Sequence, residues 1–442
     1  MSALVCFAVF LAGVAVCLHM GWALIWAMLL GIAAFGALGL RRGFSLRTLW
    51  GFAWGQGRKM CSLLVIYVLI GMITALWRSA GTIAWFIYHG LQIITPQLFI
   101  LVTFALTCFL SYALGTSFGV VGTAGIIVMA LARSGGVSTA VTAGAIVAGA
   151  YFGDRCSPAS SSASLVAAAT GTKLEENLRA MHRTGWLPLL LSAAVYAVLS
   201  AAHPIAAVDG AMLGELAQVF DLSLWTVLPA LLILVLPLCR VPVRWSMAAS
   251  VAAAFLVTVA QQRMPALQAL RAALLGYAGP EGALREILSG GGVISMFTAS
   301  VLAIATGLYA GLLSGIGARD GIREMVERAV RRAGLYPTCA GVCLLCAMMF
   351  CNQSTAPVVA PQLMAHSYEA RGEGKRALAL DIENSGIVLA ALIPWNISVS
   401  IPLAMLGTGA SALPYAVLLY MLPLCYLVTR RRLGPRAEKE KI

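Results

Sequence analysis

The chain has 442 residues, of which 60% are hydrophobic and only 11% are charged. A typical soluble domain is about 45–50% apolar and about 25% charged, so this chain has too few charged groups to cover a soluble surface of its size. The composition argues against a disordered chain, a nucleic-acid-binding domain and a large cytosolic enzyme. It indicates an integral membrane protein whose main partner is the lipid bilayer.

Apolar runs that predict membrane helices recur along the whole chain. They lie at about 3–19, 22–40, 61–77, 97–114, 117–133, 138–153, 158–171, 186–202, 223–239, 246–260, 294–316, 337–350, 354–367, 378–393, 396–409 and 412–429. Since a crossing helix needs about 20 apolar residues, the shorter runs predict half-helices or re-entrant hairpin arms. We therefore expect an all-α polytopic membrane protein with about 10–12 transmembrane helices.

The order of these runs divides the chain into four parts. We expect residues 1–202 to form a first repeat half, and residues 294–429 a second. Residues 203–293 would form connecting spans and an interfacial segment, because the stretch after residue 261 is amphipathic. Residues 430–442 would form a basic tail.

The net charge of +13 is concentrated at two places. Residues 41–59 hold five cations and no acid, and residues 430–442 hold six cations and two acids. The positive-inside rule puts both segments in the cytoplasm, which predicts an inner-membrane protein with cytoplasmic N- and C-termini. The positive charge is thus a signal of topology, and no nucleic-acid partner is expected.

Polar residues break the apolar runs of the first half at two places. Residues 115–123 contain three glycines and three hydroxyls, which favour a broken helix whose carbonyls and hydroxyls bind a cation. Small-residue packing between helices is the alternative. Residues 153–164 hold Asp154 and Arg155, followed by Pro158 at the start of the next run. Asp154 is either a cation or proton site or part of a neutral pair with Arg155 or another residue.

Two further breaks lie in the second half, at residues 350–357 and 381–396. Glu383 lies on an otherwise apolar helix, where it is either a proton carrier, a cap at the cytoplasmic end or part of an ion pair. Gly115 precedes Pro158 by 43 residues, and Asn352 precedes Pro394 by 42. Matching breaks in two halves indicate a secondary transporter built from inverted repeats with broken helices or re-entrant hairpins.

These breaks supply the candidate site. The residues expected to bind an ion or solute are Thr116, Ser117, Asp154, Ser157, Ser160, Ser161, Asn352, Ser354, Thr355, Glu383, Ser385, Trp395 and Asn396. Na⁺ is expected at Asp154, Thr116 and Asn352. Arg78 either snorkels to the interface or faces the cavity and attracts an anion. No cofactor is expected, because the sequence has neither a phosphate-binding loop nor a zinc-protease motif.

The chain resembles the NhaC-type sodium/proton antiporter family of the ion transporter superfamily. The matching stretches are residues 81–91, 115–123, 145–158 (AIVAGAYFGDRCSP), 291–296 (GGVISM) and 383–396 (ENSGIVLAALIPWN). The resemblance implies two inverted repeats, a homodimer, and Na⁺ and H⁺ as coupling ions. Some members carry small carboxylates or amino acids.

The chain also departs from that family at three positions. The family usually has Asp where this chain has Ser161, Asn352 and Asn384. Each replacement removes a charged oxygen from a cation site and a proton carrier from the pathway. The leading hypothesis is therefore a Na⁺/H⁺ antiporter-type transporter, and the alternative is a Na⁺- or H⁺-coupled transporter of a small carboxylate or amino acid. A membrane enzyme and a membrane sensor are the remaining, weaker hypotheses.

Overall fold

The computed structural model describes residues 3–93, 96–204, 210–239, 241–280, 285, 288–316 and 322–433. The chain is about 82% helical, and the described residues form no strand beyond an isolated bridge between Tyr277 and Gly290. The prediction of an all-α polytopic membrane protein is confirmed. Most of the predicted basic tail, residues 434–442, lies outside the described residues, as do parts of the 203–293 segment.

The first half of the chain is a succession of helices joined by short turns. They are α1 (Ala3–Met20), α2 (Ile25–Arg41), α3 (Leu46–Ser79), α4 (Thr82–Ile93), α5 (Phe99–Leu114), α6 (Ser117–Val120), α7 (Ile126–Ser134), α8 (Thr139–Cys156), α9 (Ser161–Thr170) and α10 (Leu174–Ala202). A π-helical turn, Val121–Gly125, joins α6 to α7.

The rest of the chain continues in the same way. Its helices are α11 (Gly210–Val219), α12 (Leu228–Leu238), α13 (Val243–Ala260), α14 (Ala266–Leu275), α15 (Phe297–Gly315), α16 (Ile322–Ala333), α17 (Leu335–Phe350), α18 (Thr355–Glu369), α19 (Lys375–Glu383), α20 (Gly386–Leu389), α21 (Ile397–Met405) and α22 (Val417–Leu433). Helix α3 packs along α15, α5 along α8, and α12 along α13.

Within the described residues, three continuous helical stretches are long and apolar enough to cross a bilayer: Ser117–Ser134, Leu174–Ala202 and Val293–Gly315. Two bent pairs pass the same test together. Leu64–Ser79 meets Thr82–His89 at 62°, and Lys375–Leu392 meets Ile397–Met405 at 51°. Many of the other apolar helices are shorter, as the short runs in the sequence predicted. The number of crossings stays a prediction.

The basic segment at residues 41–59, which lies between two predicted membrane runs, is helical from Leu46 onward. Helix α3 begins at Leu46 within the basic segment 41–59, because the Ser45 side chain accepts a hydrogen bond from the Thr48 amide at 3.2 Å and caps the helix. The 34 residues of α3 span about 51 Å, more than a bilayer core of about 30 Å. The cations Arg47 and Arg58 therefore lie on the extension of a membrane helix and not in a loop.

The amphipathic segment after residue 261 forms α14, and its two faces differ in side-chain size. Ala269, Ala272 and Ala273 are buried, and α14 packs against α3. The larger side chains Leu267 and Leu275 are exposed, at 77% and 57%. Small residues allow close packing on α3, and the leucines face outward, where lipid would cover them.

A buried ion-pair cluster attaches the last helix to α19. Asp381 is fully buried and accepts hydrogen bonds from Tyr368, from Tyr426 at 2.9 Å and from Arg430 Nε at 3.0 Å. Arg430 also donates to the carboxylate of Glu373. Because α19 ends at Glu383, this cluster fixes the position of a candidate functional residue two positions away.

Replacing Arg430 should therefore destabilise the protein strongly. Arg430→Gln leaves the Asp381 charge buried without its cation, so we expect the free energy of unfolding to fall by about 3–5 kcal/mol. Denaturant unfolding in detergent micelles, followed by tryptophan fluorescence, measures this change. Arg376→Gln is the matched control. Its ion pair with Glu176 is 40% and 37% exposed, so its loss should cost at most about 1 kcal/mol. Equal losses in the two variants would contradict the prediction.

Candidate functional site

The two breaks of the first half pack against each other. After α5 the chain turns at Gly115, whose φ is +67°, and Thr116 caps α6 by accepting a hydrogen bond from the Gly119 amide. A Cβ added at Gly115 would lie 2.5 Å from the carbonyl carbon of Ala159, which belongs to the second break. The Ser157 hydroxyl donates to the Tyr112 carbonyl at 2.6 Å and completes this contact.

The two breaks of the second half are joined in the same manner. Helix α17 ends at Phe350 and is followed by Cys351, whose φ of +53° is left-handed. Asn352 then accepts a hydrogen bond from the Ser354 amide at 2.9 Å. The Ile397 amide donates to the Cys351 carbonyl at 3.0 Å. Asn396 caps α21 and donates to the Ala347 carbonyl, both at 2.9 Å. Each half thus brings two broken helices together.

The Asp154 carboxylate lies where these two pairs of breaks meet. Asp154 is 5% exposed, and its oxygens accept hydrogen bonds from Gln353 at 2.9 Å, Ser162 at 3.3 Å and Ser117 at 3.4 Å. Gln353 comes from the third break, so both halves of the chain contribute donors. The Tyr151 hydroxyl lies 3.4 Å from the Gln353 amide oxygen and donates to the Ser398 carbonyl at 2.7 Å.

This arrangement gathers oxygen groups of the kind that bind hard cations. One carboxylate is surrounded by two hydroxyls, an amide and a phenol, and hard cations prefer such oxygen ligands. The donors to Asp154 fit its charged form, since hydroxyl and amide hydrogens all point at the carboxylate. A bound cation would take the place of these hydrogens by rotation of the two hydroxyls and the amide.

Arg155 does not pair with Asp154, so that alternative is wrong for these two residues. Its Nη2 donates to the Met181 carbonyl at 3.1 Å, to Thr184 at 3.2 Å and to the Asn384 side chain. Adjacent residues at the end of α8 thus enter two different polar clusters. Asp154 remains free of a cationic partner among the described residues.

Glu383 is fully buried, and neither of its carboxyl oxygens has a hydrogen-bond partner. The alternatives of a helix cap and an ion pair therefore do not describe Glu383 in this structure. A buried carboxyl without partners is tolerated far better as the neutral acid than as an anion. Glu383 thus fits a proton carrier.

Several predicted site residues serve the backbone of the breaks. Thr116, Ser160 and Asn396 cap helices, Asn352 accepts a hydrogen bond from the Ser354 amide in the turn before α18, and Ser385 donates to the Asp381 carbonyl at 2.6 Å. The side chains of the expected Na⁺ ligands Thr116 and Asn352 thus already bond backbone amides, and their part in cation binding stays a prediction.

Other predicted residues lie away from the Asp154 carboxylate. Ser161 and Ser354 are exposed, and the Thr355 amide bonds the Asn352 carbonyl at 3.4 Å. The Trp395 indole donates to the Met348 carbonyl at 3.0 Å, next to Phe10. Arg78 donates to the Thr74 carbonyl on its own helix and is only partly buried.

Three residues at the carboxylate were missed from the sequence: Gln353, Ser162 and Tyr151. Gln353 and Ser162 lie inside the predicted breaks, next to residues that were chosen. Tyr151 precedes Asp154 by three positions on α8, which puts both side chains on one face of that helix. That spacing was the available signal for Tyr151.

The sequence profile of the Na⁺/H⁺ antiporter family matches residues 1–173 and 149–429. The chain is 28% identical over 369 residues to the malate-2H⁺/Na⁺-lactate antiporter of Bacillus subtilis, covering 81% of this chain and 78% of that protein. It is 25% identical over 371 residues to the Na⁺/H⁺ antiporter NhaC of Alkalihalophilus pseudofirmus, with 81% and 79% covered. It is 26% identical over 397 residues to the arginine/ornithine antiporter ArcD of Halobacterium salinarum, with 83% and 79% covered.

The contact between the first two breaks should be sensitive to one methyl group. Gly115→Ala puts a Cβ into the Ala159 backbone and forces a left-handed alanine, which alone costs about 1–2 kcal/mol. Gly171→Ala is the matched control, because Gly171 has the same φ of +67° but nothing within 4 Å of its Cβ position. Thermal or denaturant unfolding should show Gly115→Ala losing about 1–3 kcal/mol more than the control. Equal losses would mean that the two breaks are not packed together.

Proposed function

The chain belongs to the Na⁺/H⁺ antiporter family, and from that premise we propose that it is an ion-coupled secondary transporter that exchanges Na⁺ for H⁺ by alternating access. The resemblance to NhaC-type antiporters is confirmed by homologues of that type at 25–26% identity. Members of this family are membrane transporters, so inorganic cations and protons are the species that the family implies as transported. No resident cofactor enters the proposal.

The observation that carries the proposal is the meeting of both halves at Asp154. Ser117 and Ser162 reach the carboxylate from the first half, and Gln353 reaches it from the second. A cation that binds Asp154 must displace donors from both sides. Binding would therefore change how the halves hold each other, which alternating access requires.

The proton would be carried by Glu383. Its carboxyl group is buried without partners, while Asp154 has three donors, so the two acids are suited to different protonation states. In this proposal Asp154 binds the cation and Glu383 binds the proton. Thr116, Ser157, Ser160, Asn352, Ser385 and Asn396 hold the broken backbone around them.

We further propose that this multi-pass protein lies in the inner membrane, with both termini in the cytoplasm, and works as a homodimer. Support for the orientation comes from the grouping of charge at one end of the molecule. Arg430 near the end of α22 contacts Glu373, and Arg376 pairs with Glu176 at the start of α10. The start of α10, with Glu176, thus shares a side with the basic start of α19 and the basic end of α22.

The matching order of elements supports the division into repeats at residues 1–202 and 294–429. Helix, break, helix, turn, helix, break, helix describes both α5–α9 and α17–α21, where the third helix of the second series includes the short α20, and a further helix, α10 or α22, follows each series. In each series, the helix before the first break is followed by a residue in the left-handed conformation. This residue is Gly115 after α5 and Cys351 after α17. The inverted relation of the two series is part of the proposal.

A second candidate is the coupled transport of a small carboxylate or amino acid. The malate/lactate and arginine/ornithine antiporters cover the chain as fully as the Na⁺/H⁺ antiporters do. The neutral residues Ser161, Asn352 and Asn384 also stand where the resemblance to Na⁺/H⁺ antiporters leads us to expect carboxylates. The transported solute therefore has to be tested directly.

The test is ion flux in proteoliposomes that contain a pH-sensitive dye. With a proton gradient imposed, NaCl should evoke a pH change in the wild type, and Asp154→Asn should reduce it about tenfold or more, since a hydrogen-bonded charge contributes about 1.5–3 kcal/mol. Glu383→Gln should abolish the pH change, because the amide cannot release a proton.

Asp221→Asn is the matched control. Asp221 is exposed and bonds Gln261 at 2.7 Å, so its loss should leave the flux unchanged. A response to one carboxylate or amino acid, without a response to NaCl alone, would favour the second candidate. If Asp154→Asn and Glu383→Gln both transported as the wild type does, the assignment of roles would be wrong.

A further inference from the structure

Behind the Asp154 carboxylate lies a second polar cluster in which donors and acceptors are unmatched. Arg155 is fully buried and makes all its hydrogen bonds through Nη2, while Nε and Nη1 have no partner. The Asn384 amide nitrogen also lacks a partner, as do both oxygens of Glu383. Arg155 bonds the side chain of Asn384, the residue that directly follows Glu383 in the chain, and its charge acts on the Glu383 carboxyl.

Polar groups buried without a partner are costly, and a pairing between groups of opposite charge would remove the cost. A guanidinium can hold a carboxylate with two parallel hydrogen bonds, which an amide oxygen cannot accept. Arg155 therefore has a stronger potential partner in Glu383 than the Asn384 oxygen that it holds now. Only the neutral form of Glu383 leaves the present arrangement favourable.

We propose that Arg155 is a positioning residue for proton exchange at Glu383. It bonds Asn384 while Glu383 is protonated, and it turns to the Glu383 carboxylate when the proton leaves. The O–H bond of the Glu383 carboxyl breaks, the proton passes to water on the open side, and the electron pair stays on the carboxylate that Arg155 then neutralises. This inference rests on the proposed function and deepens it.

Rotation of the Arg155 guanidinium toward Glu383 would also affect the cation site at Asp154. Asp154 and Arg155 share the last turn of α8, and the Ser160 hydroxyl donates to the Asp154 backbone carbonyl. Arg155 also bonds the backbone and a hydroxyl of α10. A turn of the guanidinium toward Glu383 would therefore strain the backbone that carries Asp154, which links proton release to cation binding.

The other ionisable side chains around Glu383 already have hydrogen-bond partners. They are Asp154 and Cys156 on α8, Tyr336 and Cys343 on α17, Tyr368 on α18 and Tyr426 on α22. Tyr368 and Tyr426 donate to Asp381, and Tyr336 donates to the Pro423 carbonyl at 3.2 Å. None of these side chains is a cation, so Arg155 is the described residue that can neutralise Glu383 when it ionises.

Infrared difference spectroscopy on the purified full chain tests the proposal without transport. A protonated buried carboxylic acid has a carbonyl stretch that disappears on ionisation, and the band due to Glu383 is the one lost in Glu383→Gln. In Arg155→Gln this band should persist to a pH higher by about one unit or more, because loss of a nearby opposite charge disfavours the carboxylate. Arg155→Lys keeps the charge and should restore a titration close to that of the wild type.

Arg133→Gln is the control for loss of a membrane arginine, since Arg133 bonds the carbonyls of Leu406 and Gly407 and not this cluster. It should leave the band unchanged. If Arg155→Gln titrated at the wild-type pH, or if no band depended on Glu383, the proposal would be overturned. Should Arg155→Gln fail to fold, Arg155→Lys decides the test. If the Glu383 band titrates in Arg155→Lys at the same pH as in the wild type and in Arg133→Gln, the proposal is supported. If it titrates at a higher pH in Arg155→Lys than in Arg133→Gln, the proposal is overturned.

Transport measurements separate this inference from the proposed function. A pH profile of flux displaced in Arg155→Gln, with the band displaced equally, supports both. A displaced band in a protein that moves no cation or solute supports the positioning role of Arg155 and rejects the transport assignment.

Discussion

A polypeptide that leaves a helix inside a bilayer has to find hydrogen-bond partners within the protein, because lipid supplies none. The four breaks of this chain meet that requirement with short side chains. Thr116, Ser160 and Asn396 each accept a hydrogen bond from the helix that follows its break, and Asn352 accepts one from the Ser354 amide in the turn before α18. The breaks then bond one another in pairs, and the remaining polar groups lie at their meeting point. The candidate cation site is a product of this constraint.

Close packing of α5 and α8 is what brings the first pair of breaks together. A Cβ added at Gly153 would lie 2.0 Å from the carbonyl carbon of Ser111, so the two backbones touch at this level. Small residues allow such contacts between membrane helices. The threonine hydroxyls of α5 bond carbonyls of their own helix, which leaves no polar group facing the contact unpaired. Asp154 follows Gly153 directly and is therefore held at a fixed depth.

The positions of the breaks were predictable from the sequence, and so were Asp154 and Glu383, because glycines, hydroxyls and acids stand out in apolar runs. Which side chains of each break bond the backbone, and which reach the carboxylate, was not predictable. Ser160 caps α9 and so sets the phase of that helix, with the result that Ser162 faces Asp154 and Ser161 is exposed. In the third break Asn352 bonds the Ser354 amide within the turn, and its neighbour Gln353 reaches the carboxylate. A one-residue change of phase rotates a side chain by about 100°, and composition carries no information on phase.

The opposite directions of Asp154 and Arg155 have an electrical consequence. With Glu383 protonated, the negative Asp154 and the positive Arg155 leave this core with no net charge. With a monovalent cation on Asp154 and Glu383 ionised beside Arg155, the positive and negative charges again cancel. A membrane potential does work of about 2.3 kcal/mol per 100 mV on each elementary charge that crosses it, and on a neutral core it does none. On the proposed scheme, exchange of one cation for one proton is electroneutral and is driven by the two concentration gradients alone.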